Sequence, residues 1–217
     1  MKFHHVIIAG ILFTSPLTLI ASPTIITVGA FSHHDLSAWQ PQDFHGKTAY
    51  SLQPSRHASY VLSAHSDNSA SGLHRKIRID LITQTPVLNW SWRVPYTFTD
   101  NDEASKSGDD YPARIYVIVS GGPLFWKTRA LNYVWSNQQK ESTWANAYTS
   151  RNIMLAVDGG EQHTQRWRHY SRNLRHDLQR IFGEDIRSID AIAIMTDTDN
   201  THHKVTTLYG DIYFSSE

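Results

Sequence analysis

The feature that most constrains this chain is a two-residue hydrophobic period, repeated in short segments separated by polar turns. In ARIYVIV, residues 113–119, Ala113, Ile115, Val117 and Val119 alternate with Arg114, Tyr116 and Ile118. In LNWSWRV, residues 88–94, Leu88, Trp90, Trp92 and Val94 alternate with Asn89, Ser91 and Arg93. A strand turns successive side chains to opposite faces, so each segment predicts one core face and one polar face. Apolar segments at 24–28, 50–52, 60–64, 73–79, 131–135, 152–157, 189–195 and 206–214 extend the strand pattern along the chain. About ten short strands predict an all-β fold, a jelly-roll-type β-sandwich.

One segment has a helical period. Leu174, Leu178 and Ile181 fall at i, i+4 and i+7, Ser171 offers an N-cap and Gly183 a left-handed C-terminal stop. The spacing predicts one surface α-helix near 171–182, with Arg172, Arg175, Asp177, Gln179 and Arg180 on its solvated, basic face. Polar stretches at 99–108, 136–146 and 159–166 are expected as loops, and none has the composition of an interdomain linker. Residues 22–217 are therefore expected to form a single β-sandwich domain.

Lys2, the mostly apolar run 6–20 and the small residue Ala21 together form the pattern of a signal peptide over residues 1–21. No other run approaches the length of a membrane-spanning helix, so the mature chain is expected to be periplasmic or secreted, without stable membrane insertion. The absence of cysteine excludes disulfides and a lipoprotein anchor. Twenty Lys and Arg balance twenty Asp and Glu, which removes the basic footprint of a nucleic-acid binder.

The charged residues carry the functional expectation. Arg114 sits within a half-buried strand and needs a partner, because an unpaired buried charge is costly. Asp109 lies about 16 Å away if the segment is extended, so the two are not expected to pair. MTDTDNT, residues 195–201, offers Asp197 and Asp199 instead. If the strand continues, both carboxylates share one face and converge on Arg114 or on a cation. If a turn begins at Asp197, the alternating oxygen donors resemble the start of a calcium loop, making Asp197 and Asp199 candidate metal ligands. His202 and His203 are expected as exposed loop residues, since neighbours on a strand face opposite ways. Trp126, Trp144 and Trp167, in or beside polar loops, are the tryptophans expected at the surface. Tyr209, Asp211 and Tyr213 fall on one face of an unbroken strand. The chain has no nucleophile elbow, zinc-protease helix or phosphate-binding loop.

The ordered motifs WSWRV, GDDYPARIYVIV, YVW, FGEDI, MTDTDN and YGDIYF resemble the bacterial domain-of-unknown-function 3047 family. That resemblance implies that the Asp109, Asp110, Arg114 group and the Asp197, Asp199, Asn200 group belong to one recurring pattern. It carries no catalytic role. FSHHDLSAW and the short strands after it are more loosely similar to galactose-binding-like jelly-roll sandwiches. The functional expectation is an exported, non-catalytic binding module for a carbohydrate or another polar cell-envelope ligand. Its site would consist of Asp109, Asp110, Arg114, Tyr116, Asp197, Asp199 and Asn200, with a calcium ion as the candidate cofactor. Two alternatives stand beside it: a glycan-acting hydrolase using the Asp109/Asp110 and Asp197/Asp199 carboxylates, and a structural or protein-interaction domain.

Overall fold

The computed structural model describes residues 24–82 and 85–216, so the signal-peptide reading of residues 1–21 lies outside the described residues. Among those residues no helix is long and apolar enough to cross a membrane. The strands, in chain order, are β1 (Ile25–Gly29), β2 (Gln40–His45), β3 (Ala49–Pro54), β4 (Tyr60–Asp67), β5 (Ala70–Asp80), β6 (Val87–Arg93) and β7 (Arg114–Val119). They continue with β8 (Arg129–Ser136), β9 (Thr143–Asn146), β10 (Thr149–Gly159), β11 (Arg168–Asn173), β12 (Ser188–Asp197), β13 (Lys204–Tyr209) and β14 (Ile212–Ser215), with helix α1 (Leu174–Phe182) between β11 and β12.

The strands form two sheets, as the alternation predicts. The first runs β1-β14-β6-β13-β4-β3, with β11 on the other edge of β6. The second runs β2-β5-β12-β7-β8-β10-β9 and is antiparallel except for the parallel pair β8 and β10. The inward faces of both sheets meet in one apolar cluster. It includes Leu88, Trp90, Trp92 and Phe214 from the first sheet, and Ile115, Val117, Tyr133, Trp135, Ile192 and Ile194 from the second. Leu174 and Leu178 seat α1 against this core.

Several expectations are corrected. The helix begins three residues later than predicted, because Ser171 and Arg172 are strand residues paired with Asn89 and Leu88, and Asp177, expected on the solvated face, is buried. The cap is Asn173, whose side chain accepts from the His176 N–H at 3.0 Å. Gly183 ends the helix in the left-handed region, as expected. The segment 206–214 is not one strand: at Gly210–Asp211 the inward face shifts by one residue. Val205, Thr207 and Tyr209 point inward before the break, and Ile212 and Phe214 after it, which leaves Tyr209 in the core and Tyr213 half-buried. β2, β9 and β11 are strands the hydrophobic pattern does not reveal.

Candidate functional site

Arg114 lies on the outward face of β7, opposite Met195 of β12. β12 ends at Asp197, opposite Ala70 of β5. This register brings the two charges together across the strand ends: Arg114 Nη2 donates to Asp197 Oδ2 at 2.6 Å. Nη1 donates to the Tyr116 hydroxyl at 2.8 Å, and the guanidinium lies 4.2 Å from the Tyr111 ring centre. Burial works against the arginine charge, but Asp197, Tyr116 and Asp109 overcome it and hold its pKa above the usual value. Burial pushes the Asp197 carboxyl up, against the pull of Arg114 and with the repulsion of Asp110 and Asp109.

The expectation that Asp109 stays away from Arg114 is corrected. The chain before β7 folds back, with the Asp110 N–H donating to the Gly108 carbonyl at 2.8 Å. Asp109 Oδ1 thereby comes within 4.0 Å of Arg114 Nη2, and the Asp109 carbonyl accepts from the same nitrogen at 3.3 Å. Asp110, wholly buried, turns the other way. Its Oδ2 accepts from the backbone N–H groups of Asn200 and Thr201, at 3.0 and 2.6 Å, and from the Thr201 hydroxyl at 2.7 Å. Those bonds pin the turn after β12 against the fold-back. From below, the Thr198 N–H donates to the Ser69 carbonyl and its hydroxyl meets that of Ser66 at 2.8 Å. Burial raises the carboxyl pKa of both Asp109 and Asp110.

Asp199 follows the end of the strand and sits in this turn, so it shares no strand face with Asp197. Even so, Asp110, Asp197 and Asp199 each offer an oxygen within 4.8 Å of the others. The two histidines take separate partners: exposed His202 meets Asn68 Oδ1 at 2.6 Å, and half-buried His203 meets Asp100 at 3.0 Å. Neither is grouped with the acidic trio.

The outward face of the second sheet is a trough that follows the strands. At the acidic end a cavity of about 390 Å³ is lined by Asp109, Arg114, Tyr116, Asp197, Asp199 and Asn200 together with Phe44, Asn146, Tyr148 and Asn152. The sequence-predicted site residues thus converge, except Asp110, which lies behind them. A second cavity of about 350 Å³ shares Phe44, Tyr116, Asn152 and Met195 with the first and continues to Ile118, Ala130 and Ala193. The edge strand β2 supplies Phe44 on one side, and the β9–β10 turn supplies Tyr148 on the other. These rings are 68% and 60% exposed.

Residues 37–213, which hold the trough and the acidic cluster, match a family model described as "Protein of unknown function (DUF3047)". The chain belongs to this family. No curated protein matches the DUF3047 chain. Among solved structures the DUF3047 chain is similar to the family 11 carbohydrate-binding module of Clostridium thermocellum in complex with a mixed-linked tetrasaccharide. That match has 8% identity and a TM-score of 0.45, over 89% of this chain and 96% of the other. It is also similar to the family 30 carbohydrate-binding module of a Clostridium thermocellum cellulosomal cellulase, at 13% identity and a TM-score of 0.46, over 90% and 94% of the two chains. A third is the cellulose-induced protein Cip1, at 9% identity and a TM-score of 0.48, over 84% and 93%. Likeness at this level carries no functional argument for the DUF3047 chain, whose trough has to speak for itself.

Sequence reasoning missed Phe44, Asn146, Tyr148 and Asn152 of the DUF3047 trough. The available signal was a lone aromatic between polar neighbours, as in PQDFHGK around Phe44. Of the three tryptophans expected at the surface, Trp126 is 54% exposed. Trp144 is half-buried beside Tyr111, Val134 and Met154, and Trp167 is half-buried and stacked on His57 at 3.9 Å.

Proposed function

We propose that the trough on the outward face of the second sheet binds a carbohydrate or another hydroxyl-rich chain of the cell envelope, without acting on it. The observation that carries this reading is the pair of exposed rings, Phe44 and Tyr148, flanking a floor of amide, carboxylate and phenol groups. An exposed ring on a strand whose every residue is exposed contributes nothing to the core. It does offer an apolar face to sugar C–H groups, while Asn146, Asn152, Asp199 and Asn200 offer hydrogen-bond partners to hydroxyls. In this reading the ligand is met in the periplasm or outside the cell, where the leader-like residues 1–21 would deliver the chain.

The hydrolase alternative is less well supported. A general acid–base pair needs two carboxyls free to face the substrate. Of the four carboxylates in that alternative, Asp110 Oδ2 is taken by donors from Asn200 and Thr201, Asp197 is held by Arg114, and Asp109 Oδ2 accepts from Asn146, which leaves Asp199 as the one lining carboxylate without such a bond among the described residues.

Calorimetry and affinity electrophoresis against soluble envelope polysaccharides test the proposal. Retardation by at least one polysaccharide is expected. Phe44→Ala and Tyr148→Ala should each weaken binding roughly two- to tenfold, the scale of a single aromatic contact, and leave the melting temperature unchanged. Two variants that bind as the wild type does, or a panel that never retards the protein, would rule the trough out as the site.

A further inference from the structure

We propose that Asp110, Asp197 and Asp199 hold one calcium ion at the acidic end of the trough. The three carboxylate oxygens lie within 4.8 Å of one another. Calcium–oxygen bonds of about 2.3–2.6 Å give a coordination sphere roughly 4.6–5.2 Å across, so one ion reaches all three. A separate observation points to the same ion. Among the described residues, Asp110 Oδ1 is buried in a wholly buried residue and has no hydrogen-bond donor, although Oδ2 of the same carboxylate has several. Oδ1 of Asp109, a residue that lines the adjoining cavity, is also buried without a donor among them. Native folds pair such oxygens, and a cation is the partner that suits several carboxylates at once. Arg114 supplies one positive charge, and its short bond is directed at Asp197.

The chemistry selects the cation. The donors are all oxygen, with no sulfur or imidazole among them, which suits a hard ion. Asp110 and Asp197 are pinned by Thr201 and Arg114 and cannot contract easily to the shorter bonds of about 2.0–2.1 Å that magnesium demands. Calcium tolerates irregular geometry, and the adjoining cavity has room for waters to complete its six to eight ligands.

The test is thermal melting and calorimetry of chelator-treated full-length protein with calcium alone, so its outcome is separate from the glycan reading. One calcium per chain is expected. The melting temperature should rise by roughly 5–10 °C at a hundredfold excess over the dissociation constant. Asp199→Asn is the decisive variant, because the half-exposed Asp199 side chain caps nothing among the described residues. In chelator it should melt at or above the wild-type temperature, since a repulsive charge has gone. In calcium it should melt below wild type, with affinity weakened at least roughly tenfold. This crossing of the two curves is not produced by a closed hydrogen-bonded network. The proposal is overturned if about 10 mM calcium, above the ~10⁻³ M limit of weak extracellular sites, gives neither heat nor stabilisation. Asp199→Asn responding as wild type does, or magnesium matching calcium, overturns it equally.

Discussion

Nη2 of Arg114 lies 2.6 Å from Oδ2 of Asp197, and the two side chains are 3% and 4% exposed. An ion pair so far from water stabilises little over an apolar pair of the same shape, but losing one member strands the other charge. Arg114→Ala is therefore expected to cost about 3–5 kcal/mol, read as a lower urea midpoint. Replacing both residues, Arg114→Met with Asp197→Leu, should cost less than Arg114→Ala alone. A double variant worse than the single would show that Arg114 is stabilised by something other than this pair.

Glu103 gives a pH dependence. Its carboxylate is buried under the 99–108 loop, where it accepts from the Asn137 N–H at 2.9 Å and from the Ser136 hydroxyl. Burial pushes its pKa up from 4.5 to about 7, against those donors. A raised carboxyl pKa means that the folded state keeps its proton while the unfolded state loses it. Stability from this group is therefore intact below pH 4.5 and falls as pH rises to about 7, by about 1.4 kcal/mol per unit. Urea melts across this window should show Glu103→Gln gaining on wild type by up to about 3 kcal/mol. Asp109 and Asp110 are raised too and slope the same way, so the difference between the two proteins isolates Glu103. Parallel curves would disprove the assignment.

Asn173, rather than Ser171, caps the helix. Asn173→Ala should lower stability by about 1 kcal/mol, while Ser171→Ala at the strand position should change it by less than about 0.5 kcal/mol. The reverse order in chemical denaturation would place the helix start where the sequence suggested.

Asp177 is buried at the foot of α1 and accepts from the Tyr133 hydroxyl at 2.8 Å and from Arg172 through Nε and Nη2, each at 2.8 Å. Tyr133→Phe removes one charge-assisted bond and no volume. The expected loss is about 1.5–3 kcal/mol, and a loss below about 0.5 kcal/mol would mean that the two arginine bonds satisfy the carboxylate unaided.

How far the sequence reaches depends on where each strand meets water. β7, β6 and β12 each hold a buried face, and their alternation is plain in the residues; Arg114 stands out because it interrupts such a strand, and Asp197 follows as its partner. β2 is exposed at every position, so no hydrophobic period exists to read. β9 and β11 alternate only between exposed and half-buried, which polar residues satisfy as well as apolar ones. Pro41 also argues against a strand, and is tolerated because β2 is an edge. Phe44 was hidden with its strand. The approach of Asp109 to Arg114 was hidden for another reason, since a fold-back held by one backbone hydrogen bond leaves no periodic mark. The break at Gly210–Asp211 is equally silent: a one-residue shift changes which face a side chain takes without changing composition.

The second sheet has a consequence for how the trough comes into being. One of its inner strands, β12, comes late in the chain and is clasped between β5 and β7 from much earlier. Phe44 waits on an edge strand for a partner face that is synthesised late, and Asp110, in the middle of the chain, cannot hold Thr201 until the segment after β12 has docked. Pairings so distant carry a large loop-closure cost, and folds dominated by them mature on the order of milliseconds to seconds. The recognition surface is thus a property of the completed chain: a ribosome-bound or C-terminally clipped fragment can carry every residue up to β10 and still present no trough.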